Sequence, residues 1–218
     1  MATLSEVFRV VHSLETEDVV ESYALGGTVA GLFYGEATCC FRLSICISSG
    51  RPFKVFNRWL CRHHLQLHEA TVVVHGIPVF FAGQRELLKL EAARSAHTLS
   101  YDAASVRVMR AEHLAAFYLA DRHSRWGYAP SYFSPEVLES LQMEDVLEDP
   151  NLWQKWQEDE PVPVAPQYAA KKRWHEDNAR LPIKEKMRQL LELQKHDWPL
   201  LARQRELKWW EKPWDIQP

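Results

Sequence analysis

The chain has 218 residues, 25% of them charged and 46% hydrophobic, with a formal net charge of −3. That is enough apolar material for one large domain with an appendage, and it excludes a wholly disordered chain. No apolar run approaches the length of a membrane span, and MATLSEVFRVVHSLETEDVV lacks the basic start and apolar block of a secretory signal.

In chain order, Leu4, Val7, Phe8, Val11 and Leu14 share one face of a helix over 4–14. SYALGG (22–27) reads as a strand entering a glycine turn. TVAGLFYG (28–35) reads as a helix whose first turn Thr28 is placed to cap. RLSICIS (42–48) alternates and is rich in β-branched residues, which predicts a strand. Residues 53–66 predict a helix that buries Phe53, Phe56, Trp59 and Leu60. TVVVHGIPVFF (71–81) is a hairpin turning at Gly76, and Pro78 calls for an edge strand or an early position in one. QRELLKLEAARSA (84–96) is a helix and ASVRVM (104–109) a strand. RAEHLAAFYLADRHSRW (110–126) is a helix with Leu114, Phe117, Tyr118 and Ala120 on its buried side.

This order gives an α+β, α/β-like domain over 1–127. A helical extension follows over 128–160, then a linker over 161–168 containing PVPVAPQ. The last segment, 169–218, holds two helices (169–179 and 183–206) and the aromatic tail KWWEKPWDIQP. Seven of the nine tryptophans lie beyond residue 150, so the C-terminal third differs in kind. The tail exposes too much aromatic surface to float free: it packs back on the domain or docks on a partner.

Charge is unevenly placed. Thr38 to His68 contains no Asp or Glu but holds Arg42, Arg51, Lys54, Arg58 and Arg62. The same stretch holds all four cysteines, Cys39, Cys40, Cys46 and Cys61, with no repeating framework. They are expected as free thiols in a reducing, cytoplasmic setting.

A strand, a Gly-Gly turn and a helix leave backbone N–H groups facing open space, where a phosphate can come close. The same turn also serves as a tight connection with no ligand. YALGGTVAGLFYGEA (23–37) followed by FRLSICIS (41–48) resembles the start of the nucleotidyltransferase superfamily, and within it the abortive-infection toxin-like nucleotidyltransferases. VVVHGIPVFFAG (72–83) is similar to the family's next hairpin, VRVMRAEHLAAFYLADRHSRW (106–126) to its strand and following helix, and ARLPIKEKMRQLLEL (179–193) to a closing helix. The likeness spans roughly residues 20–195 and is weakest over 38–68. It implies a nucleotidyltransferase-fold mixed sheet flanked by helices, with a helical C-terminal region. It also implies nucleotide binding at Gly26, Gly27, Thr28 and Arg125, with Arg122 nearby, and a cognate antitoxin or RNA as partner.

Nucleotidyl transfer in such enzymes uses two Mg²⁺ ions, which need hard oxygen ligands. The family supplies them from an acid–x–acid pair on one strand and a third acid on a neighbour. The matching positions here are Arg42, Ser44 and Phe80, none an acid, and Glu36 is the nearest carboxylate. The expected protein is therefore nucleotidyltransferase-like, without an intact two-metal site, and binds a nucleotide or a partner. The alternative is an active enzyme that moves NMP from NTP to RNA or protein, with Mg²⁺ and NTP as cofactors. An acid-free, cysteine-rich segment inside an otherwise similar chain is also what a local change of reading frame leaves.

Three other features carry weaker chemistry. Cys61, His64 and His68 in CRHHLQLH have helical zinc spacing but no fourth ligand, so a basic helix surface is expected. His113 has no partner visible in sequence and is expected as a structural residue. The basic, aromatic stretch 38–68 is expected as a solvated face, with RNA contact as the other reading.

Overall fold

The computed structural model describes residues 2–82, 87–120, 133–143, 146 and 166–218. Helix α1 (Leu4–Thr16) starts at a capping box, in which Glu6 N–H donates to Thr3 Oγ1 at 3.3 Å and Thr3 N–H to the Glu6 carboxylate at 2.8 Å. Its five predicted apolar residues are all buried.

There follow β1 (Ser22–Gly26), α2 (Gly27–Gly31), β2 (Leu43–Ser48), α3 (Phe53–Arg62), β3 (Thr71–Val74), β4 (Ile77–Ala82), α4 (Leu87–Arg94), β5 (His97–Tyr101), β6 (Ala104–Val108) and α5 (Ala111–Ala120). The described C-terminal helices are α6 (Pro135–Ser140), α7 (Pro166–Ala179) and α8 (Ile183–Gln204).

The six strands form one mixed sheet in the order β3-β4-β2-β1-β6-β5. β1 runs antiparallel to β2 and parallel to β6, β2 runs parallel to β4, and an antiparallel hairpin closes each side. Every residue of β1 is buried, as an interior strand covered on both faces requires. α1 packs on β6, and α4 on β2 and β1.

Several expectations change. β5 is absent from the sequence reading because HTLSY is polar and mostly exposed, with no clean alternation. Phe53 is 62% exposed and stacks on Phe56, while α3 buries Trp59 and Leu60. Helix α3 stops at Arg62, and His64 takes a positive φ of 54°. Pro78 sits second in β4, an interior strand. Pairing with β2 begins only at Val79, so the proline removes no bond from that ladder. Pro166 and Gln167, placed in the linker by sequence, open α7, where a proline's missing N–H costs nothing at the first position.

The C-terminal segment shares the core of the rest of the chain. Met187, Leu190, Leu191, Trp214 and Ile216 belong to the same buried cluster as β1 and β2. Trp214 Nε1 donates to the Phe41 carbonyl at 3.1 Å, and its N–H to Gln194 Oε1 at 2.9 Å. Gln194 Nε2 in turn donates to the Cys40 carbonyl. The tail ends beside the first residues, with Leu4 N–H on Gln217 O at 3.3 Å and Gln217 N–H on Ala2 O at 3.1 Å.

Segment 38–68 is integral to this fold. It supplies the interior strand β2, and its cations match the acids that end α1. Arg51 pairs with Asp18, and Arg62 and His63 with Glu17, while Gly50 N–H donates to Glu21. Trp59 Nε1 donates to Ser13 Oγ at 2.8 Å.

Lys186 fixes α8 on the end of α2. Its ammonium is buried and donates to the Leu32 carbonyl at 3.0 Å, and burial pulls its pKa down to about 8. The folded value lies below the unfolded one, so the fold prefers the neutral amine, and stability rises as pH climbs from about 8 toward the unfolded lysine value. In Lys186→Met this rise is expected to vanish. The Tm difference, mutant minus parent, should shrink between pH 8 and pH 10 in thermal scans; a flat difference would contradict a buried ammonium.

Candidate functional site

A cavity of about 880 Å³ opens where β1, β2 and β4 lie side by side. The sheet register builds its floor. Gly26 lies opposite Ser44 across β1 and β2, and Ser44 opposite Phe80 across β2 and β4. Gly26 of the Gly-Gly turn, Ser44 and Phe80, the last two being positions to which the resemblance assigns acids, therefore stand in one row. Arg42, the remaining position, lines the same cavity.

Gly27 adopts φ +60°, and a Cβ there would lie 3.4 Å from both the Cβ and Oγ of Ser44. The backbone conformation calls for glycine at this position, while the space beside Ser44 would just admit a Cβ. Helix α2 is only five residues long, its N-cap is Gly26, and no side-chain cap bond is made. Thr28 is not the cap; it lines the cavity instead. The Gly-Gly turn acts here by giving the chain the left-handed conformation that carries it past Ser44.

The Arg42 guanidinium carbon lies 4.4 Å from the ring centroid of Phe80 and 4.8 Å from that of Trp210. Such cation–π contacts each contribute about 0.5–2 kcal/mol, depending on desolvation. Burial pulls the Arg42 pKa down, and nearby Glu211 opposes that pull.

The far wall comes from α8 and the tail, through Asp197, Leu201, Arg205, Trp210 and Glu211. Both Glu211 oxygens are held by Arg205 at 2.7 Å, and one also accepts Lys208 N–H at 2.8 Å. The Arg205 bonds are the first cause of a Glu211 pKa held below the usual carboxylate range. Trp198 Nε1 donates to the Glu211 carbonyl at 2.8 Å.

Cys39, Cys40 and Cys46 also line the cavity. Burial pushes the Cys39 thiol up to about 12 and the Cys40 thiol higher still. Both stay protonated near neutral pH, which makes them poor nucleophiles and poor metal ligands.

Gly26, Gly27, Thr28, Arg42, Ser44 and Phe80 thus line one cavity. Arg122 and Arg125 lie outside the described residues. Glu36 does not line this cavity. It is 7% exposed, and His175 Nδ1 lies 2.8 Å from both its oxygens; burial is the first cause of its raised pKa. His113 is 2% exposed, and neither ring nitrogen has a hydrogen-bond partner among the described residues. Burial lowers its pKa and keeps the ring neutral.

The early end of α3 separates His64 from His68, so they share no helix face. His68 instead bridges to Thr71 and sits edge-on to Trp209 at 5.5 Å. Among the described residues, no group of three His, Cys, Asp or Glu side chains is placed to hold a metal ion.

Sequence reasoning missed the far wall. The cue was the KWWEKPW tail, whose aromatics suggested packing back. Trp214 does so, and Trp210 and Glu211 then fall beside Arg42. No protein-family model matches this sequence, and no curated protein matches it significantly.

The Glu211–Arg205 pair holds the tail in place. Glu211→Ala is expected to release residues 205–217, seen as a red shift of tryptophan emission and faster amide exchange there, with β2 exchange unchanged. Because the Glu211 pKa is depressed, the pair's contribution is present above the ordinary carboxylate range and lost as pH falls through the folded value. Acidification should therefore produce the same red shift in the parent and less of it in the mutant.

Proposed function

We propose that this chain is a nucleotidyltransferase-like protein of the abortive-infection, toxin–antitoxin toxin type. In this reading its two-metal site is lost, and it binds a nucleotide in the cavity under the Gly26–Gly27 turn. The observation that carries the reading is the row Gly26, Ser44 and Phe80 across three adjacent strands, with Arg42 in the same cavity. On the resemblance, this is where a glycine turn and three carboxylates would converge; the row here holds a hydroxyl and a phenyl ring, and the Arg42 guanidinium lines the cavity beside it.

The chemistry follows from the side chains present. Two Mg²⁺ ions require converging carboxylates. The carboxylates lining the cavity are Asp197 and Glu211, both on the opposite wall. Glu211 is engaged by Arg205, and Asp197 lies 2.8 Å from His196. Arg42 adds fixed positive charge where cations would sit, and two unit charges 4 Å apart repel by about 4 kcal/mol at an effective dielectric constant of 20. The volume lies within the roughly 300–1,000 Å³ of ligand pockets. Phe80, Phe117, Tyr118 and Trp210 offer ring faces for a base, and Thr28, Ser44 and Arg42 offer donors. The same reading makes a cognate antitoxin or RNA the macromolecular partner and the cytoplasm the compartment.

Two measurements test it. With Mg²⁺ and labelled NTPs, the purified protein is expected to transfer no label to RNA or protein; chelator-sensitive incorporation would overturn the lost-site reading. The double variant Arg42→Asp with Ser44→Asp places two carboxylates in the cavity, where they repel until a cation binds. Its Tm is expected to rise with Mn²⁺ while the parent's does not, on a scale of about 2.7 kcal/mol at a hundred times the dissociation constant. If neither protein responds, the old metal site has been placed on the wrong residues.

A further inference from the structure

Arg42 differs from the other arginines that reach into this fold. Arg107 pairs with Glu15 at 2.7 Å, Arg205 with Glu211 at 2.7 Å, Arg62 with Glu17 and Arg51 with Asp18. Arg42 makes no hydrogen bond or ion pair through its side chain among the described residues. Its contacts are the rings of Phe80 and Trp210, which hold the guanidinium in place without satisfying any of its N–H donors. The hydroxyls of Ser44 and Thr28 line the same cavity and likewise make no hydrogen bond among the described residues. Among the described residues that line the cavity, the carboxylates are Asp197 and Glu211, and Glu211 is already held by Arg205.

A partly buried cation whose nearby carboxylate, Glu211, is already held by Arg205 remains undercompensated, and an oxyanion ligand relieves that cost. A guanidinium held by rings is also pre-organised, because its planar fork matches two oxygens of one phosphoryl group. We infer that Arg42 is a metal-independent oxyanion anchor, whose fork, with the Ser44 and Thr28 hydroxyls, takes a phosphoryl group of the ligand. This rests on reading the cavity as a nucleotide site and adds how the phosphates are held. Fixed positive charge from the protein takes the place of Mg²⁺. Magnesium then competes with Arg42 for the same oxygens, so it weakens binding.

Isothermal titration of the full chain tests this, with inorganic tripolyphosphate and the four common NTPs as probes, each in EDTA and in excess Mg²⁺. The expected result is binding in EDTA that weakens with Mg²⁺. Arg42→Gln should weaken it roughly 10- to 150-fold, the range for losing a hydrogen bond to a charged group. Arg42→Lys keeps the charge but not the fork. It should fall in between, and it decides the matter if Arg42→Gln does not fold. Binding that requires Mg²⁺, or unchanged affinity in folded Arg42→Gln or Arg42→Lys, overturns the anchor and leaves the nucleotide reading standing. Tripolyphosphate binding without any NTP binding supports the anchor and overturns the nucleotide reading. No binding by either probe under either condition overturns both.

Discussion

The passage of Gly27 over Ser44 sets the geometry on which the rest of the cavity depends. A chain that leaves β1 and turns at once into a helix must clear the strand beside it. At φ +60° only glycine does so without strain, and a Cβ there would still be in ordinary contact with Ser44 at 3.4 Å. Because β1 and β2 pair with Gly26 against Ser44, the clearance and the register are the same constraint. A slip of one residue would turn Ser44 away and bring Leu43 or Ile45 out of the core, where both are fully buried. The apolar alternation of β2 therefore fixes which side chain lies beneath the turn. The parallel pairing with β4 then extends the row to Phe80.

Charge is distributed on the same logic. The acid-free stretch looked like a single basic surface in the sequence. In three dimensions its exposed cations, Arg51 and Arg62, meet the acids that follow α1. Exposed pairs of this kind contribute at most about 1 kcal/mol each, so they arrange the surface more than they stabilise it. Arg42 lies just before β2, on the cavity side, between the rings of Phe80 and Trp210. One basic segment thus provides both cations paired at the surface and a ring-held cation in the cavity.

Much of the sheet was legible because its interior strands carry the expected signals: buried alternation in LSICIS, a β-branched run in TVVV, and a Gly turn between VVVH and IPVFF. Gly26, Gly27, Thr28, Arg42, Ser44 and Phe80, which the resemblance singled out, line one cavity, and periodicity alone would not have grouped them. What escaped had physical causes. β5 is an edge strand with polar, exposed residues, so burial leaves no mark on it. Thr28 read as a cap because threonine suits that position, but the tight turn already uses Gly26 there. The far wall was illegible because Trp210, Glu211 and Arg205 acquire their roles only from how α8 is seated. That depends on Lys186 and Gln194 reaching carbonyls 154 residues away.

That separation bears on the order of assembly. Hairpins and the β1–β2 pair close loops of about twenty residues or fewer, whereas the Trp214–Phe41 bond closes one of 173. Loop-closure entropy rises only logarithmically, so the longer closure costs about 2 kcal/mol more. It also cannot begin until residue 214 has been made, well after Phe41, Arg42 and Phe80 have been made. Until then those residues lack the wall that covers them, and a nascent chain presents an open aromatic and cationic face to whatever meets it first.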